Sequence, residues 1–96
     1  MNLSEIQKLS LKEKKNLLER TIKLQEETGE LAEQVLIAAQ SSGSHYKKSA
    51  KDGIQHEAID VALVALSIFF LEGGTPSQLE KAMKAKMAKW KRFQKK

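Results

Sequence analysis

Between Ala58 and Leu71 the chain is apolar at every position except Asp60 and Ser67. The stretch ends at Glu72-Gly73-Gly74, where glycine permits the left-handed turn that closes a helix. A run this apolar has no polar side to turn towards water, so it predicts a central, buried helix from about Asp52 to Gly73-Gly74. The rest of the chain must then be amphipathic helices that cover it. Strand signals are nearly absent, and the expected fold class is all-α: a helical bundle formed by one domain over residues 1–96.

The covering helices are legible from their caps. Ser4-Glu5-Ile6-Gln7 and Ser10-Leu11-Lys12-Glu13 both have the form of a capping box, and the second precedes a long periodic run. That run predicts one helix from about Leu11 to Gln40. Its apolar arc is Leu17, Leu24, Leu31, Val35 and Ala38, widened by Leu18, Ile22 and Leu36. Ser41 to Lys51 reads as a basic loop that contains His45 and Tyr46, a pair able to stack on a base or simply to sit in solvent. Thr75-Pro76-Ser77-Gln78 joins an N-cap threonine, a proline at the first helical position and a capping glutamine. It opens a last helix whose Leu79, Met83, Met87 and Trp90 form a stripe suited to a core or a subunit contact.

At 96 residues a monomer buries only about 60–65% of its unfolded surface. One all-round apolar helix and one long amphipathic helix leave too little chain to cover both, so homo-oligomerisation, as a dimer or tetramer, is expected to complete the bundle. The chain has no cysteine, which excludes disulfides and thiolate metal sites. The N-terminus lacks an apolar signal region, and the Ala58–Leu71 stretch is shorter than a bilayer crossing requires. A soluble cytoplasmic protein with no membrane partner is the expectation.

Polar residues in so apolar a helix carry information. Glu57 and Asp60 are spaced i, i+3, as are Glu27 and Glu30 in Glu26-Glu27-Thr28-Gly29-Glu30. That spacing sets two side chains one above the other, about 60° apart on the helix. His56, Glu57, Asp60 and Ser67 share one third of their helix's circumference. A buried, ionised and unpaired aspartate costs several kcal/mol, so Asp60 requires a compensating partner. Lys23, Arg20 or a hydroxyl would supply one. So would a hard divalent cation, Mg²⁺ or Mn²⁺, shared between the carboxylate pairs of two packed helices. Gly29 removes a side chain beside the acids and permits a close approach there.

Charge is distributed unevenly. The net charge is +5, and from Lys81 onward there are eight Lys or Arg residues and no acid. Such a segment suits nucleic acid, an anionic membrane or a phosphorylated small molecule, or serves as a solvated helix face.

Lys23-Leu24-Gln25-Glu26-Glu27-Thr28-Gly29-Glu30-Leu31-Ala32-Glu33, followed by Glu57-Ala58-Ile59-Asp60-Val61, resembles the paired EExxE and ExxD signature of the MazG-like all-α nucleotide pyrophosphohydrolases. The resemblance is strong over residues 23 to 36 and 55 to 72. Lys89-Trp90-Lys91-Arg92-Phe93 is similar, more weakly, to a basic-aromatic stretch on the family's last helix. The resemblance implies a MazG-like topology and Mg²⁺-dependent hydrolysis of a nucleoside triphosphate between the α and β phosphates, giving a monophosphate and pyrophosphate. It implies Glu27, Glu30, Glu57 and Asp60 as metal ligands, with Glu26 orienting or deprotonating the attacking water. Lys89 and Arg92 would hold phosphates, with Lys86 and Lys23 as further candidates that also fit plain solvated lysines. A second subunit would complete the site. Phosphoribosyl-ATP pyrophosphohydrolase has similar motifs and is the alternative within enzymes. A non-catalytic helical module that binds nucleic acid through the basic last helix is the alternative outside them.

Overall fold

The computed structural model describes residues 2–39 and 52–95 and is all-helical there. Four helices follow in order: α1 (Leu3–Lys12), α2 (Leu17–Ala38), α3 (Gly53–Leu71) and α4 (Pro76–Gln94). Gln40 and the expected basic loop from Ser41 to Lys51, with His45 and Tyr46, lie outside the described residues.

The long first helix expected from Leu11 to Gln40 is two helices, and the break has a local cause. Residues 13–16 are non-helical, and Glu13 is extended (φ −64°, ψ 132°). Its carboxylate accepts hydrogen bonds from the backbone N–H groups of Lys14 and Lys15. Asn16 then opens α2 with a complete capping box: its side chain accepts from the Glu19 N–H at 2.9 Å, and the Glu19 carboxylate accepts from the Asn16 N–H at 3.0 Å. Neither serine box forms. The α1 cap is Asn2, whose side chain accepts from the Glu5 N–H, and the Ser10 hydroxyl bonds back to the Ile6 carbonyl inside α1. The predicted start of α4 is present as expected, with Thr75 and Gln78 bonded reciprocally.

The α2–α3 pair is the most extensive helix contact, followed by α1 on α3; α4 meets α1 thinly. Contacts along α2 and α3 run in opposite directions. Arg20 reaches Ser67, Glu27 lies beside Asp60, and Gln34 abuts Gly53. Each step of seven residues up α2 is a step of seven down α3, which is the register of an antiparallel coiled-coil-like pair. The α2 residues on this seam are therefore Arg20, Leu24, Glu27, Leu31 and Gln34. Leu18, Ile22 and Leu36, which widen the apolar arc, are exposed instead.

Within the single chain α3 is not the buried centre expected of it. Only Gly53 and Phe70 are buried, Ile59 is 58% exposed and Leu63 46%. By length and a mean hydropathy of 1.7, α3 is long and apolar enough to cross a membrane, because the helix begins five residues before Ala58. Glu57 and Asp60 lie within it, however, and a carboxylate near the centre of a bilayer costs about 2.5–3.5 kcal/mol on insertion scales. Among the described residues the buried apolar ones are few: Ile37, Phe70 and Leu79. The radius of gyration is 16.2 Å, against about 12–13 Å for a compact domain of this length. The helices are open rather than closed around a core.

Arg20 holds three of the four helices in place. Only 2% exposed, it donates from Nε to the Lys15 carbonyl (2.7 Å) and from Nη1 to Ser67 (2.9 Å). Its Nη2 donates to the carbonyls of Ser10 (2.8 Å) and Glu13 (2.9 Å). One guanidinium thus ties the end of α1, the connection to α2 and the C-terminal part of α3 together. Its partners are backbone carbonyls, not Asp60.

Candidate metal centre

One residue of the α2 stripe and two of α3 build the site. Glu27 lies in the centre of α2 and faces α3, where the antiparallel register presents Glu57 and Asp60, one turn apart. One carboxylate oxygen from each of Glu27, Glu57 and Asp60 lies within 4.8 Å of the other two. A cation would draw the three oxygens slightly closer, since oxygens in a Mg²⁺ shell at 2.0–2.1 Å from the ion are about 3–4 Å apart.

Burial is graded across the cluster: Glu27 is buried, Glu57 intermediate and Asp60 exposed. Asp60 therefore does not carry the burial cost that the sequence attaches to it; Glu27 does. Its Oε1 pairs with Lys23 Nζ at 3.0 Å, but its Oε2 is buried and has no hydrogen-bond partner, and the same is true of Glu57 Oε2. Buried carboxylate oxygens are ordinarily satisfied, and two orphaned oxygens in one cluster of acids fit a cation that the side chains alone do not replace. The third orphan among the described residues, Gln34 Oε1, sits two turns further along the stripe against Gly53.

Glu30 lies one turn beyond Glu27, exposed and outside the three-residue cluster. It is nevertheless linked to it electrically. The neighbouring Glu27 carboxylate holds the Glu30 carboxyl above its ordinary range, with partial desolvation and the charge of Glu57 acting in the same direction. Glu27 moves the other way. Hydrogen bonding to Lys23 holds its carboxyl below the ordinary range, against the opposing effect of burial, and Glu30 and Glu57 add smaller lowering contributions. Lys23 is raised in return, first by Glu27 and then by Glu26.

The remaining candidates fall in two places. Glu26 is exposed and bonds Lys23 at 3.2 Å, so Lys23 bridges Glu26 and Glu27 on the same helix. Lys86, Lys89 and Arg92 are exposed on α4, and among the described residues no ion pair joins them to Glu27, Glu57 or Asp60. His56 bonds Asp52 (Nε2 to Oδ2, 2.9 Å) at the start of α3. Ser67 bonds the Val64 carbonyl and offers its own carbonyl to Arg20.

Arg20 and Gln34 are the stripe residues whose positions the sequence analysis did not assign. A signal was present in the spacing: both are seven residues from Glu27, and at the 3.5-residue repeat of a helix pair that puts all three on one seam. Compared with known proteins, the chain matches no family model, no curated protein and no solved structure.

Proposed function

We propose that the chain holds a hard divalent cation, Mg²⁺ or Mn²⁺, between α2 and α3, and with it hydrolyses a nucleoside triphosphate between the α and β phosphates. One observation carries the cation site: Glu27, Glu57 and Asp60 converge from two helices while two of their buried oxygens lack any partner. All-oxygen, carboxylate-rich ligation favours Mg²⁺ or Mn²⁺ over zinc or copper. The resemblance of the two acidic motifs to the MazG-like pyrophosphohydrolases supports the reaction.

Glu27, Glu57 and Asp60 would hold the ion, and Glu30, one turn from Glu27, would join them by a change of side-chain rotamer. Mg²⁺ bound there would neutralise phosphate oxygens and lower the pKa of a coordinated water. Glu26, exposed and adjacent to Glu27, would orient or deprotonate an attacking water. Lys23 pairs with the carboxylates of both Glu26 and Glu27. Lys89 and Arg92, with Lys86, offer cations for the substrate's phosphates, and reach them only if α4 of some chain lies beside the acids. Homo-oligomerisation is part of the proposal for that reason.

The test is a panel of ribo- and deoxyribonucleoside triphosphates, with phosphoribosyl-ATP included, assayed for pyrophosphate release with Mg²⁺ and with chelator. Chelator-sensitive pyrophosphate release from any member supports the proposal, and the preferred member separates the two enzymatic activities. A nucleic-acid-binding module is favoured instead by one feature, the six cations and single carboxylate of α4. It would show binding that weakens steeply with salt and no hydrolysis.

A further inference from the structure

We infer that Arg20 and Gly53 are positioning residues for the cation site: they bracket it on the antiparallel α2–α3 pair, hold the two helices close on either side of it, and so favour a small ion such as Mg²⁺ over Ca²⁺. The inference rests on the proposed cation site and not on the hydrolysis.

The acids have little else to place them. Among the described residues no cation pairs with Glu57 or Asp60, and Lys23, the partner of Glu27, is on the same helix as Glu27. How closely Glu27 meets the two α3 carboxylates therefore follows from the separation and register of the helices. A gap between two rods is fixed only when they are held on both sides of it, because a contact on one side alone leaves a pivot.

Both sides carry a contact. Arg20, seven residues before Glu27 and so about 10 Å along the axis, donates from Nη1 to the carbonyl of Ser67, which is seven residues beyond Asp60. Three further carbonyls, those of Lys15, Ser10 and Glu13, hold the same buried guanidinium, so it cannot shift along α3 without breaking bonds to α1 and the connection. Seven residues after Glu27, Gln34 lies against Gly53, which is seven before Asp60. Gly53 is buried in the first turn of α3, and a Cβ on it would overlap the Gln34 carboxamide, 2.9 Å from its Cδ. Gln34 Oε1 has no hydrogen-bond partner, so the carboxamide is seated there by packing. Alanine is the better helix former, and what glycine supplies at this position is the close approach of α2. Gly29, nearer the acids in sequence, does not supply it: a Cβ there would meet nothing within 4 Å.

Close approach matters to the ion. Mg²⁺ takes its oxygens at about 2.0–2.1 Å in a near-ideal octahedron, whereas Ca²⁺ accepts more oxygens at about 2.3–2.6 Å and in looser geometry. The three carboxylate oxygens lie within 4.8 Å of one another. They must draw together further for Mg²⁺ than for Ca²⁺, so any widening of the helix pair weakens Mg²⁺ first.

Mn²⁺ bound to the full chain, followed by electron paramagnetic resonance and displaced with Mg²⁺ or with Ca²⁺, gives the ratio of Mg²⁺ to Ca²⁺ affinity. Gly53→Ala should lower that ratio about 10-fold, the lower end of what losing a residue that supports metal ligands costs. Its helical circular dichroism should be retained, since alanine favours the helix. Gly53→Ala/Gln34→Ala, which removes the overlapping carboxamide, should restore most of the ratio. Arg20→Lys keeps the charge but not the planar fork and should lower the ratio as well. Asn16→Ala, which weakens the start of α2 away from the seam, should melt earlier with an unchanged ratio. A ratio unchanged in either Gly53→Ala or Arg20→Lys, or lowered equally by Asn16→Ala, would overturn the positioning while leaving the cation site in place. A double variant no better than Gly53→Ala would remove Gly53 from the bracket. A wild type that binds no ion would overturn the cation site, and the positioning with it.

Discussion

Replacing Arg20 by methionine removes all four donations from the guanidinium while keeping much of the side chain's length. The Ser10 carbonyl bond is fully buried, and the bonds to Lys15, Glu13 and Ser67 are part-buried. One orphaned buried carbonyl costs about 1–3 kcal/mol. The three others regain some hydration, so about 1 kcal/mol for each is a fair allowance when a charge-assisted bond is exchanged for one to water. The sum, about 4–6 kcal/mol, is comparable with the total stability of a small domain. Methionine's apolar atoms and the relief of burying a cation return part of it, leaving a net loss of about 3–4 kcal/mol. At about 4–8 °C per kcal/mol this lowers the melting temperature by at least about 12 °C. Arg20→Lys keeps the charge but not the planar fork, and should lie between the two. Urea denaturation of the three proteins, checked for equal slopes, measures the differences. A loss below about 1 kcal/mol for Arg20→Met would show that the α1, α2 and α3 junction is held by packing and not by the guanidinium.

The pH dependence of the metal-free protein follows from two neighbours shifted in opposite directions. Glu30, held high by Glu27, contributes stability at low pH that is lost as pH rises through its folded pKa; Glu30→Gln should therefore raise the melting temperature at pH 7 and change it little at acid pH. Glu27, held low by Lys23, contributes stability above the ordinary carboxylate pKa that is lost as pH falls through its folded value, so the destabilisation by Lys23→Met should shrink on acidification. Pyrophosphate release should fall by orders of magnitude in Glu27→Gln, Glu57→Gln and Asp60→Asn, and in Glu30→Gln if Glu30 joins the ion; near-normal turnover at limiting Mg²⁺ would remove that residue from the ligand set. Asn16→Ala, which breaks the α2 capping box, should cost about 1 kcal/mol in denaturant unfolding, and no measurable cost would mean that Arg20 alone fixes the start of α2.

The helix types, the α4 cap and the meeting of Glu27 with Glu57 and Asp60, though not with Glu30, were legible because each depends on short spacings: i, i+3 pairs, a capping tetrapeptide and a glycine pair. The break at residues 13–16 was not, since Ser10 and Asn16 both head plausible boxes and the choice falls to Arg20, whose partners are four backbone carbonyls that no side-chain pattern reveals. Burial was misjudged for a related reason. Apolar content made α3 the expected centre, yet composition does not say whether the covering surface comes from the same chain. Asp60 consequently lies exposed, and the buried acid is Glu27, placed on the inner seam by a register of seven residues that also carries Arg20 and Gln34.

Metal binding to the intact site is the most direct test of the central claim. Isothermal titration with Mn²⁺ and Mg²⁺, paired with melting at matched ionic strength, should give one cation per chain and stabilisation of about 2.7 kcal/mol when free metal is 100-fold above its dissociation constant. Asp60→Asn and Glu57→Gln should abolish both signals while leaving the helical spectrum unchanged. Equal melting temperatures for the wild type with saturating metal and with chelator, in the presence of a nucleoside triphosphate, would contradict the metal centre and leave Glu27, Glu57 and Asp60 as an acidic cluster partnered by Lys23 alone.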